Sequence, residues 1–75
     1  MNKNIDFLDY VTKLKLLKYL KDKKIKYKNI TVEDFKVENN WNMVYSIKID
    51  NRKKITIYET SDPNTGNRNI YIYDR

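Results

Sequence analysis

From residue 41 onward the apolar residues of this chain recur at every second position. Trp41, Met43, Tyr45, Ile47 and Ile49 alternate with Asn42, Val44, Ser46, Lys48 and Asp50. Ile55 and Ile57 alternate with Lys54, Thr56 and Tyr58, and Ile70 and Ile72 with Tyr71 and Tyr73. A period of two places one set of side chains on each face of a pleated strand, so these segments read as strands over about 41–50, 54–60 and 69–74 with a common isoleucine-rich face. An antiparallel sheet with one apolar face needs a cover. The only segment able to provide it is the N-terminal third, where the period changes to that of a helix.

That segment reads as a helix over about 5–24. It is rich in leucine and lysine and has no glycine or proline. Asn4 or Asp6 can cap its start, and Lys21, Lys23 and Lys24 suit the negative end of its dipole. Its apolar residues exceed one face. Phe7, Tyr10, Val11, Leu14 and Leu17 fall in one arc, which reads as the core stripe. Leu8, Leu16, Tyr19 and Leu20 fall largely on the opposite side, which reads as a second stripe for a partner surface.

Loop lengths follow from the requirement that equal faces meet. A three-residue loop, Asn51-Arg52-Lys53, sets Ile49 opposite Ile55 and Ile47 opposite Ile57, whereas a two-residue loop mixes the faces. Ser61 to Arg68, containing Pro63 and Gly66, reads as the last turn. In residues 25–38, Ile30 and Val32 share one parity and Phe35 and Val37 the other. A strand over about 28–37 with a bulge near Glu33-Asp34 reconciles them, turning into the next strand through Asn39-Asn40; a short helical turn capped by Thr31 is the other option. The expected fold is α+β: one domain over residues 1–75, with an N-terminal helix packed on a three- to four-stranded antiparallel β meander.

A chain of 75 residues buries a thin core. It has no cysteine and no histidine, so disulfides and the usual zinc sites cannot reinforce that core. Association with a second copy or a partner is the remaining reinforcement. The start of the chain lacks the long apolar run and small-residue cleavage site of a signal peptide, and no stretch approaches the length of a membrane span, so a cytoplasmic protein is expected.

Charge is segregated. Residues 1–28 hold nine lysines and three acids, a net +6, while residues 29–75 hold seven basic and seven acidic residues. A local excess of positive charge attracts phosphates or acidic proteins. Lys13, Lys15, Lys18, Lys21, Lys23 and Lys24 are the candidates for such contacts. They point in several directions around the helix, and no arginine stands among them to read guanine edges, so base-specific recognition in the major groove is not expected. Tyr58, Tyr71 and Tyr73 share parity with Lys48 and Lys54, an aromatic and basic surface suited to a protein interface or to stacked bases. Asp22 and Asp34-Phe35-Lys36 faintly echo the acids and lysine of metal-dependent nucleases. Trp41 reads as a core residue. No catalytic, cofactor-binding or metal-binding residue is assigned, and no enzymatic activity is expected.

The absence of alanine and glutamine, with thirteen lysines against three arginines, reflects AT-rich codons. In this respect the chain resembles the small proteins of phages and mobile elements in low-GC bacteria. The reading that follows is a non-enzymatic protein-binding module. It would be a host-takeover or counter-defence inhibitor that blocks a host replication, transcription or defence protein, such as a DNA sliding clamp, RNA polymerase or nuclease. Its expected interface is Leu8, Leu16, Tyr19, Leu20, Tyr58, Tyr71 and Tyr73, with a homodimer compatible. The alternative is direct, largely non-specific nucleic-acid binding through the lysine-rich helix.

Overall fold

The computed structural model describes residues 2–39 and 42–74. One helix, α1 (Tyr10–Asp22), covers one face of a five-stranded antiparallel sheet: β1 (Lys3–Asn4), β2 (Ile30–Asn39), β3 (Asn42–Ile49), β4 (Lys53–Ser61) and β5 (Arg68–Asp74). Spatial order follows chain order, so the α+β class and the meander are as the alternation implies. The extra strand is β1, two residues that pair Lys3 with Val32 and Asn4 with Thr31; it is too short to leave a periodic signal. Trp41 and Asn40 lie outside the described residues, and with them the core reading of Trp41 and the tip of the β2–β3 hairpin.

The helix begins five residues later than its composition suggests. Asn4 does cap a helical turn, accepting a hydrogen bond from the Asp6 amide at 2.8 Å, but this is a 3₁₀ turn over Ile5–Phe7. The chain then extends through Leu8. Asp9 caps α1 proper by accepting from the Thr12 amide at 2.8 Å. Leu8 lies in this break and is buried in the core at 5% exposure. At the other end Lys24 adopts a left-handed conformation (φ 57°), and the Ile25 amide donates to the Leu20 carbonyl at 2.9 Å. This is the Schellman arrangement, built here without glycine, and Ile25 packs back on the core.

The inner sheet face carries Val32, Tyr45, Ile47, Ile49, Ile55 and Ile57, which with Leu8, Leu16 and Leu20 form the buried core. A bulge at Glu33 lets both parities of β2 face inward: Val32 pairs with Ile47, and the register then resumes with Asp34 opposite Ser46 and Phe35 opposite Tyr45. The β3–β4 loop differs from expectation. Its residues are Asp50-Asn51-Arg52, so that Ile49 faces Lys53, Ile47 faces Ile55 and Tyr45 faces Ile57. Asp50 and Asn51 both take positive φ (51° and 60°), and the Arg52 amide donates to the Ile49 carbonyl at 2.9 Å. Asp and Asn tolerate this conformation, and the tight turn suits the strand twist. The slip from the expected pairing is two residues, so every side chain keeps its face. The β4–β5 turn runs from Asp62 to Asn67, with Gly66 at φ 75°.

The β3–β4 turn also fastens the segment between α1 and β2. The Asp50 carboxylate accepts from the Lys28 amide at 2.9 Å and the Asn29 amide at 2.6 Å, and Arg52 donates to the Lys26 carbonyl at 2.8 Å. The Asn29 and Lys28 amides hold the Asp50 carboxyl below the usual carboxylate range.

Candidate binding surfaces

Which face of α1 is free is decided by the sheet, and the outcome inverts the expected assignment. Thr12, Leu16 and Leu20 are fully buried, and Tyr19 packs against the core. Leu8, Leu16 and Leu20 are therefore core residues and not a partner surface, while Tyr19 is half-buried at its margin. Most of the stripe expected to be core faces solvent instead: Phe7, Tyr10 (73% exposed), Val11 (47%) and Leu14 (45%) are exposed, and Leu17 is half-buried. The two sides keep the membership read from the sequence, Leu8 with Leu16 and Leu20 and Phe7 with Tyr10, Val11 and Leu14; only their roles are exchanged. Thr12 continues the Leu16–Tyr19–Leu20 side, and its hydroxyl has a partner in the sheet.

That partner is Glu59, fully buried on the inner face of β4. The Thr12 hydroxyl donates to Glu59 Oε2 at 3.2 Å. The Arg68 guanidinium, at the start of β5, lies against Glu59 Oε1 and against Asp9 Oδ2, and Oε1 has no other partner. The network thus ties the N-terminal cap of α1 to β4 and β5. Burial pushes the Asp9 carboxyl up, but the Thr12 amide and hydroxyl and the Arg68 guanidinium outweigh it and hold Asp9 below its usual range. Burial, reinforced by the nearby Asp9 charge, raises the Tyr45 phenol. A buried ion pair is weak evidence for added stability; what it does here is join the Asp9 cap and Thr12 of α1 to Glu59 and Arg68 on the inner sheet face. The signal lay in parity: Glu59 continues Ile55–Ile57, and Arg68 precedes Ile70–Ile72 on the same face.

Around the free face of α1 the lysines divide. Lys13 pairs with Asp6 at 2.7 Å, Lys18 with Asp22 at 3.0 Å, and Lys23 sits 5.9 Å above the Tyr19 ring. Lys15, Lys21 and Lys24 are exposed and make no ion pair with another described residue. Such surface pairs are weak and exchange readily with a partner's charges. Lys18 and Lys21 lie on the same side of the helix as Tyr10 and Leu14, giving an apolar strip flanked by positive charge.

The outer sheet face has no second layer among the described residues. Tyr58 lies opposite Tyr71 and meets Tyr73 edge-on at 6.0 Å between ring centres. Lys48 and Lys54 share this face as a directly opposed pair, with Glu33 3.8 Å from Lys48. Where β5 borders α1, a shallow groove is lined by Leu14, Lys18, Tyr19, Ile70 and Ile72. The Asp22 and Asp34 carboxylates are not brought together: Asp22 ends the helix over the inner face, whereas Asp34 sits opposite Ser46 on the outer face. Among the described residues no three carboxylates cluster in a way that could hold a metal ion, and no helix is long and apolar enough to cross a membrane.

The class these features define is a small α+β domain with one helix on a five-stranded antiparallel sheet. The chain matches no protein-family model, and comparison with curated proteins and with solved structures finds no similar chain.

Proposed function

We propose that this protein is a non-enzymatic module that works by occupying the surface of another protein, with the outward face of α1 as its contact. The observation that carries this reading is the exposure of Tyr10, Val11 and Leu14 on a helix whose opposite face already satisfies the sheet. A solvent-facing helix side is ordinarily polar, and an aromatic with flanking aliphatics is the composition of an interface centre. Lys15, Lys18 and Lys21 at its margin suit a partner with acidic residues around an apolar patch. The AT-rich composition supports a small phage or mobile-element protein acting in the host cytoplasm. Its targets would then be replication, transcription or nuclease proteins that carry acidic residues around an apolar patch. The test is capture from nuclease-treated lysate of a low-GC bacterium, and against purified sliding clamp and RNA polymerase. Wild type is expected to retain a partner that the Tyr10→Asp/Leu14→Asp variant loses while keeping its circular dichroism. Equal retention by both would refute the assignment of this face.

A second reading, direct nucleic-acid binding, is supported by the uncovered outer face, where Tyr71 and Tyr73 are exposed beside Lys54. It predicts salt-sensitive binding of unrelated single-stranded oligonucleotides that weakens in Tyr73→Ala.

A further inference from the structure

The two sheet edges are treated differently. On one side β2 is partly covered by β1, and its uncovered part carries Lys36 and Glu38. On the other, β5 pairs with β4 in unbroken register from Ile55–Asp74 to Ser61–Arg68, and no described strand covers its outer edge. The middle of β5, Asn69-Ile70-Tyr71-Ile72-Tyr73, has no charge, no proline, no glycine and no bulge. These are the devices that ordinarily blunt an edge, and their absence leaves a row of unpaired amides and carbonyls open to another strand.

We propose that the occupant of this edge is a second copy of the chain, its β5 running antiparallel and centred on Tyr71, so that the two sheets continue as one. The strand is self-complementary in that register. Each Ile70 faces the partner's Ile72, Tyr71 faces the partner's Tyr71, Asn69 faces the partner's Tyr73, and each Arg68 faces the partner's Asp74. Moving the centre to Ile72 would place Asp74 against Ile70, and moving it to Ile70 would leave Tyr73 and Asp74 unpaired. Odd shifts would set inner-face against outer-face side chains. Arg68 and Asp74 keep their partners within the chain, Asp9 and Glu59 for one and Lys53 and Tyr19 for the other, so their cross-strand pairing selects register more than it adds affinity. A two-fold axis through Tyr71 perpendicular to the sheet puts both helices on one side. The half-buried Ile70 and Ile72 and the groove beside Leu14 and Tyr19 are then shared by the two copies. Seven residues of edge is a small contact, so dissociation constants of about 10 µM to 1 mM are expected.

The experiment is sedimentation velocity over that concentration range, with Tyr71→Lys and Tyr71→Glu variants alone and mixed. Tyr71 is 48% exposed on the outer face, so these changes spare the core. Wild type is expected to approach twice the 9.2 kDa chain mass. Each variant alone is expected to remain monomeric, because like charges meet at the axis, and the mixture is expected to associate. Register is read by cross-linking, since the chain has no cysteine of its own. Under mild oxidation Tyr71→Cys should dimerise with itself, whereas Asn69→Cys should cross-link to Tyr73→Cys and not to itself. Wild type that stays monomeric throughout, association unaffected by Tyr71→Lys, or self-cross-linking of Asn69→Cys at the rate of Tyr71→Cys would each overturn the proposal.

Discussion

Removing Arg68 should destabilise the protein far more than removing its partner Glu59. The Glu59 side chain is 0% exposed and that of Arg68 36%. In Arg68→Ala the carboxylate keeps only the Thr12 hydroxyl, at 3.2 Å, as a partner. A buried charge stripped of its partner costs about 3–5 kcal/mol. A domain of 75 residues has about 4–11 kcal/mol in total, so this variant should sit near the edge of unfolding at 25 °C. Glu59→Gln should cost about 1–2 kcal/mol, because Arg68 can turn to water and to Asp9 while the amide still accepts from Thr12. Adding Arg68→Ala to Glu59→Gln should then cost about 1 kcal/mol more, a coupling of about 2–4 kcal/mol between the two sites. Replacing both residues with leucine should be neutral or stabilising. The assay is urea unfolding followed by far-ultraviolet circular dichroism at pH 7. With a slope of about 1 kcal/mol per molar urea, the Arg68→Ala midpoint should fall by about 3 M or more. A fall under about 1 M, or equal falls in the wild-type and Glu59→Gln backgrounds, would refute a buried, charged Glu59 held by Arg68.

Other predictions follow from the same geometry. Leu16→Ala or Leu20→Ala should cost about 2–5 kcal/mol in the same unfolding assay, whereas Leu14→Ala and Tyr10→Ala should stay within about 0.5 kcal/mol; the reverse order would restore the opposite helix face to the core. Lys24→Gly should stabilise the protein by about 0.5–1 kcal/mol, because glycine takes the left-handed conformation without strain, measured as a raised thermal midpoint. Asp9 and Asp50 have folded-state pKa values below their unfolded ones, so their stabilisation is full above about pH 4 and is lost as pH falls through the folded values. The acid limb of thermal midpoint against pH should flatten in Asp9→Asn and Asp50→Asn. The Tyr19 and Tyr45 phenols are raised, Tyr19 by burial and by Asp74, so stability should fall as pH climbs above about 10. Tyr19→Phe should reduce that fall.

Strands β2 to β5, their inner faces, the bulge near Glu33 and the last turn were legible in the sequence because a period of two is a local property; β1 is too short to show one. Each residue's face follows from its neighbours, whatever lies across the sheet. The same parity already marked Glu59 and Arg68 as inward-facing, although an isolated carboxylate among isoleucines has no meaning until its partner is placed. Loop register was legible only to the nearest even slip, since Asp50 and Asn51 rather than face matching set where the chain reverses. The helix was legible as a helix, and its surplus of apolar residues as two stripes. Which stripe is core was not legible, because both have comparable hydrophobic area and helical spacing cannot rank them. The sheet decided it, where Thr12 meets the buried Glu59 on the inner face. The charge segregated in the first 28 residues therefore surrounds Tyr10, Val11 and Leu14 and not Leu16 and Leu20, a difference that only long-range contacts could make.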